Sequence, residues 1–293
     1  MNALPRLQLL AAAALFSTGG AAIKATSLSG WQVASFRSGI AALTVLLLVP
    51  AARRLPDWRV LLVGVGYAAT MILFVVANKL TTAANTIFLQ STAPLYILLL
   101  GPWLLHERIR SKDLVFMLVV AAGLLPFFLG TDTASATAPD PQRGNMVAAL
   151  SGVAWAGTIV GMRWLGSSSD GGGSAFVTVV VGNAIAFLVC LPLALPVVGA
   201  GSSDWMVIGY LGVFQIGVAY LCLTSGIRHV PALEASTLLL VEPALNPLWA
   251  WGIHGERPGT WALLGGATIL LATIVKTWWD GREITSPRTV TAT

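Results

Sequence analysis

The stretch LEASTLLLVEPALNPLWAWGIHGERPG, Leu233 to Gly259, is apolar enough through its middle for a bilayer, yet it carries Glu242, Asn246, Pro243 and Pro247. A carboxylate deep in hydrocarbon costs about 2.5 kcal/mol or more. A proline inside a helix deletes a backbone hydrogen bond. Counted from Ala232, Glu242 lies about 15 Å into the run at helical rise, half the thickness of a hydrocarbon core. An earlier stretch, AANTIFLQSTAPLYILLLGPWLLHERIR, Ala83 to Arg110, follows the same plan.

The rest of the chain sets the medium. Of 293 residues, 56% are hydrophobic and only 10% charged, with mean hydropathy +0.80. Soluble domains carry about 25% charged residues, so the composition points to an integral membrane protein. Apolar runs long enough to span fall near 7–25, 30–50, 58–79, 82–105 and 111–130, then near 143–164, 174–198, 204–226, 232–253 and 259–279. Ten transmembrane helices with short connections are expected, all-α throughout. The run after Arg6 is read as a retained first helix and not a leader, since it holds Ser17, Thr18 and Lys24 and has a later counterpart. Cys190 and Cys222 lie in apolar runs and offer neither a disulfide framework nor a metal spacing.

The net charge of +5 follows from topology. With both termini cytoplasmic, the inner side collects Arg6, Arg53, Arg54, Arg59, Arg108, Arg110, Lys112, Arg163, Arg228, Lys276, Arg282 and Arg288. The outer side keeps Lys24, Lys79, Arg143 and Arg257. This is the positive-inside bias, and it calls for no nucleic-acid partner.

The two quoted stretches superpose on Glu107-Arg108 and Glu256-Arg257, and the same offset carries Pro94 onto Pro243 and Lys79 onto Arg228. Lys24 and Arg163 close the first and sixth spans in the same way. A unit of five spans repeated in one chain must enter the membrane from opposite sides. The expected organisation is therefore a first five-helix unit over 1–130, a polar linker at 131–142, an inverted second unit at 143–280 and a cytoplasmic tail at 281–293. Interrupted helices at such a repeat interface are where transporters place their sites.

This pattern of mid-span prolines followed by a Glu-Arg step resembles the EamA type of the drug/metabolite transporter superfamily, over nearly the whole chain. Within it the sequence is most similar to the bacterial aromatic amino-acid exporter branch. The resemblance implies a central cavity shaped by the first, third and fourth helices of each repeat, with the second and fifth more peripheral. It also implies a bacterial inner-membrane location.

Helical spacing selects candidate faces. In the ninth span Glu242, Asn246 and Trp249 share a stripe, and Pro243 and Pro247 are expected to break the helix. The third offers Tyr67, Met71, Phe74 and Asn78, ending at Lys79; the fourth offers Asn85, Phe88, Thr92 and Tyr96, with Gln90 and the break at Pro94 on its opposite side. Trp155 and Thr158 come from the sixth span and Tyr220 from the eighth. Each stripe also has a packing reading, because Ser, Thr and Asn bond across helices for about 1 kcal/mol. Gly157 and Gly161 read as a helix-packing face, and Arg37 as a side chain snorkelling to the outer interface. Lys79 admits three roles: topology charge, carbonyl cap, or partner of a substrate carboxylate.

Two functions fit. One is a secondary transporter exporting amino acids, with Lys79 and Asn85 toward the carboxylate, Glu242 and Asn246 toward the ammonium, and an aromatic wall for an apolar side chain. The other is a proton-coupled exporter of lipophilic cations using Glu242. An intramembrane enzyme is disfavoured: His106, His229 and His254 lie at span ends, and neither a His-Glu-x-x-His nor a Gly-x-Ser-x-Gly motif occurs. No phosphate-binding loop or other cofactor motif is present, so gradients would supply the energy.

Overall fold

Local chemistry sets the helix starts in the computed structural model, which describes residues 3–104, 110–129, 134–166, 171–227, 229–230 and 232–285. Ser29 and Gln32 form a reciprocal capping box at the head of α3 (Gly30–Leu48). The Asp57 carboxylate accepts from Val60 N to start α4 (Trp58–Leu80), and the Thr82 hydroxyl accepts from Asn85 N to start α5 (Ala83–Gln90). Such caps satisfy amides that a helix leaves unpaired at its first turn.

The remaining helices are α1 (Leu4–Ser17), α2 (Gly19–Lys24), α6 (Ala93–Leu104), α7 (Ser111–Leu124), α8 (Pro126–Leu129), α9 (Pro141–Gly166) and α10 (Gly171–Ala194). They are followed by α11 (Ser202–Tyr210), a π-helical segment (Leu211–Val218), α12 (Ala219–Ile227), α13 (Ala232–Leu239), α14 (Val241–His254) and α15 (Thr260–Thr285). No strand forms among the described residues; Ser135 and Ala138 make an isolated bridge. Nine helical stretches among them are long and apolar enough to cross a membrane. The opening stretch is the exception. Glu234, Glu242 and Asn246 lower its hydropathy, and a turn at Leu240 divides it into α13 and α14.

The breaks have identifiable causes. Between α5 and α6 the Ser91 hydroxyl donates to Ile87 O at 2.7 Å and the Thr92 hydroxyl donates to Leu89 O at 2.6 Å. Both carbonyls also accept backbone amides, of Ser91 and Thr92, so the hydroxyls tighten the end of α5; the carbonyl that Pro94, lacking an N–H, deprives of its helical donor is that of Gln90. Pro94 and Pro243 then sit in the first turns of α6 and α14, where a missing amide costs least. Pro247 corrects the expectation: it lies within an unbroken α14. The sequence pair Glu107-Arg108, with His106, Arg228, residues 131–133 and 167–170, and those from 286 onward, falls outside the described residues.

α4 is the hub, packed on α9 and α10, and α3 packs on α10. Glycines let these axes approach. A Cβ on Gly182 would fall 2.5 Å from Tyr67 Cδ1 and 2.8 Å from its Cβ, and one on Gly161 would fall 2.7 Å from Val63. Gly157, by contrast, faces open space, so of the expected Gly157/Gly161 face only Gly161 packs. The peripheral helices are those around α7 and α15, with 28% and 22% of their apolar windows buried. α3 does not follow the expectation of a peripheral second helix, since 44% of its window is buried, as in the first.

Tyr67 Cβ is fixed to its backbone and cannot swing aside, so Gly182→Ala should destabilise by about 1–3 kcal/mol through overpacking. Gly157→Ala should be neutral or stabilising by up to about 1 kcal/mol, the helix-propensity gain. Thermal unfolding of the two variants in detergent should shift in opposite directions or leave only the first shifted.

Candidate functional site

A cavity of about 330 Å³ lies where the broken helices meet, within the size range of small-molecule sites. Phe16 of α1, Phe74 of α4, Trp155 of α9 and Tyr220 of α12 supply its aromatic wall. Thr70, Met71, Gln90, Ser91 and Gln215 add polar or polarizable edges, and Pro94 and Pro243 bring the two breaks to its surface. Its two charged side chains are Glu242, from the first turn of α14, and Arg37, from the middle of α3. Phe16 and Tyr220 meet edge to face at 5.1 Å, and Tyr220 lies 5.6 Å from Tyr67. Asn183 donates to the Tyr67 hydroxyl at 3.2 Å, which holds that ring stack in place.

Arg37 departs from the snorkelling expectation. It is 1% exposed. Its Nη2 donates to Met71 O at 3.1 Å and its Nη1 to the Gln215 carbonyl oxygen at 3.4 Å, while Nε has no acceptor. The π-helical segment explains Gln215. One extra residue per turn there turns this amide toward α3, and such segments recur at functional sites. Glu242 is half-buried, and its carboxylate makes no hydrogen bond or ion pair with the described residues.

Of the sequence candidates, Phe74, Trp155, Tyr220, Glu242, Pro94 and Pro243 converge on this cavity. The others lie elsewhere. Thr158 sits behind the wall, its hydroxyl 3.2 Å from that of Thr70. Phe88 packs against Phe127 and Gly266, Thr92 bonds to its own helix, and Tyr96 approaches Gly152. Asn246 is fully buried beside Gly20, where a Cβ would come within 2.7 Å of its Oδ1. Trp249 donates to Ser17 Oγ at 3.0 Å and borders a separate groove between α2, α11 and α14. In the fourth span the wall is made by Gln90 and Pro94, opposite the Asn85–Phe88–Thr92–Tyr96 stripe. The signal was the proline itself, since irregular backbone is tolerated in a membrane only against protein or a hydrated cavity.

Lys79 and Asn85 belong to a polar seal at one end of the bundle. Lys24 Nζ pairs with the Glu256 carboxylate at 3.0 Å, both side chains under 5% exposed, and also donates to the carbonyls of Thr81 and Thr137. The other Glu256 oxygen accepts from Ala83 N at 2.6 Å. Gly255, at φ 66°, ends α14 in the left-handed conformation that turns Glu256 back toward Lys24. Asn145 joins the seal, accepting from Thr81 Oγ1 at 2.8 Å and Asn85 Nδ2 at 3.0 Å and donating to Phe127 O at 2.7 Å. Lys79 caps Thr26 O at 2.7 Å, and Asp204 accepts from Thr26 and Ser27 beside it. Glu256 thus reaches across the bundle to the first span and the α4–α5 turn.

Comparison with known proteins gives the class. The EamA-like transporter family matches residues 5–129 and 142–278, and the chain belongs to that family. A protein described as uncharacterized transporter YdfC, from Bacillus subtilis strain 168, is 28% identical over 249 residues, covering 80% of this chain and 78% of that one. An uncharacterized transporter of Clostridium kluyveri is 31% identical over 77 residues, 26% of this chain and 25% of its own length. A crystal structure with 21% identity and TM-score 0.63 covers 98% of this chain and all of its own, a likeness of fold. The chain is thus a multi-pass membrane protein of a transporter family.

Removing one member of a buried pair strands the other, at a cost of about 3–5 kcal/mol. Lys24→Met should therefore lower the unfolding midpoint strongly, and Glu256→Gln less, since an amide oxygen still accepts from Ala83 N. The double variant should fall short of the summed losses by about 0.5–3 kcal/mol, the coupling of a direct pair. Unfolding of the four proteins in one detergent measures this.

Proposed function

We propose that the protein is a secondary transporter that exports amino acids with aromatic or other apolar side chains by alternating access. In this reading α13 and α14 complete a tenth span, and the chain is two inverted five-helix repeats, 1–130 and 143–280, joined by the 131–142 linker. The termini face the cytoplasm of a bacterial cell and the protein lies in the inner membrane. The observation that carries the reading is the cavity between the broken helices, walled by Phe16, Phe74, Trp155 and Tyr220 with one carboxylate, Glu242, on its surface.

An aromatic side chain fits that wall by offset or edge-on contact, worth about 0.5–1.5 kcal/mol per ring pair beyond burial. Glu242 has no hydrogen-bond or ion-pair partner among the described residues and can take the substrate ammonium, or a proton when the site is empty. That exchange would couple export to a proton gradient. The seal around Lys24 and Glu256 closes one end of the bundle, and alternating access requires that it open when the other end shuts. The second reading, export of lipophilic cations driven by protons, rests on the same carboxylate in an apolar wall.

Counterflow in liposomes should show purified protein exchanging labelled phenylalanine or tryptophan. Trp155→Ala and Glu242→Gln should each slow it by about tenfold or more, the loss of one charged or aromatic contact. Undiminished exchange by both variants would reject the assigned wall, and dye movement without amino-acid exchange would favour the second reading.

A further inference from the structure

Arg37 poses a problem that the fold leaves unsolved. Guanidinium stays protonated in proteins, so this side chain carries its charge into the membrane interior. Charged residues inside membrane segments pair with one another or with carbonyls, or mark a pathway. Arg37 has one carbonyl, one side-chain amide at 3.4 Å and an idle Nε, and no carboxylate lies within ion-pair distance among the described residues. The titratable groups that act on it most are Tyr67, Tyr220 and Cys190, each neutral in its ordinary form. Glu242 shares the cavity yet does not reach it. The charge is therefore held for an anion that comes and goes.

We propose that Arg37 is the specificity-determining residue of the cavity and binds the carboxylate of the transported solute; this rests on the transporter reading above. The guanidinium fork matches a carboxylate edge-on, with two parallel charge-assisted bonds. Met71 O and Gln215 fix its orientation without neutralising it. The opposite requirement, Glu242, reaches the same cavity from α14, so a zwitterion would be held by both charges with its apolar side chain against Phe74 and Trp155. A solute that is only cationic meets Arg37 unpaired, and the cavity rejects it.

Gln215 supplies an indirect handle. A Cβ on Gly19 would come within 2.8 Å of Gln215 Nε2, a flexible end that can move aside. Gly19→Ala should thus displace the amide that orients Arg37 while adding nothing to the cavity wall.

Ligand-induced shifts of the unfolding midpoint, with calorimetric titration, test this on the purified full chain using three ligands that share a ring: phenylalanine, 3-phenylpropionate and phenylalaninamide. The first two carry the carboxylate and the third does not. Wild type should bind phenylalanine and 3-phenylpropionate and not phenylalaninamide. Arg37→Gln should weaken both carboxylates by about tenfold or more, Arg37→Lys should restore part of the affinity, and Gly19→Ala should weaken them several-fold. Loss of phenylalaninamide discrimination in wild type, or unchanged carboxylate affinity in Arg37→Gln, would overturn the assignment. If Arg37→Gln does not fold, wild-type discrimination and Gly19→Ala, which leave the charge in place, decide the outcome. If 3-phenylpropionate binds through Arg37 while no amino acid is moved in liposomes, the anchor stands and the amino-acid reading falls. If phenylalanine is exchanged equally by wild type and Arg37→Gln, the reverse holds.

Discussion

The buried pair of Lys24 and Glu256 is the contact on which the rest of the arrangement turns. It joins the end of the first helix to the loop after α14, and through Thr81 O and Ala83 N it also holds the turn between α4 and α5. With both side chains nearly inaccessible, the charges leave water only because each finds a partner and further backbone groups. The consequence is a bundle pinned at one end. The breaks at Pro94 and Pro243 line a cavity.

Those breaks follow one rule. In hydrocarbon every backbone donor and acceptor must be satisfied within the protein. The chain meets the rule in different ways: amides and hydroxyls of Ser91 and Thr92 together close the end of α5, and a π-helical segment carries the backbone past Gln215. Pro94 and Pro243 sit just after their breaks and start new helices, which is why they reach the cavity while Pro247, inside a continuous helix, does not. Irregular backbone, aromatic rings and two opposite charges are thereby gathered into one volume, separated from the polar seal by the buried faces of Asn78 and Asn246 beside Gly20.

Much of this was legible in the sequence, and the parts that were not share a cause. Span positions agree with the helices to within a few residues at most starts, because a 20-residue apolar run in lipid has little alternative to a helix. Glu242 and Trp155 stood out because a carboxylate or a large ring at mid-span has to be accounted for. Lys79 admitted three roles, of which the structure shows the carbonyl cap, on Thr26 O; Asn85, a candidate for the substrate carboxylate, bonds to Asn145, and both partners come from segments distant in sequence. Arg37 looked like a snorkelling side chain, since a position within a helix says nothing about which neighbour turns toward it. Gln215 gave no signal at all, because a π-helical turn shifts the face that helical periodicity assigns.

The amino-acid sequence by itself determined the medium, the helical class, the positions of the spans and the presence of proline at two corresponding places. These depend on hydropathy over a window and on the missing proline amide, both local properties. Only the tertiary structure decided which side of each helix meets the cavity, that Glu256 reaches Lys24 across the bundle, and that Arg37 stands on the cavity wall with no counter-charge among the described residues. Close approach at glycines accompanies them: a Cβ on Gly212 would fall 2.8 Å from Arg37 O, and one on Gly20 2.7 Å from Asn246 Oδ1. Such close approach is set by pairs of surfaces and not by any one segment, so no single stretch of sequence contains it.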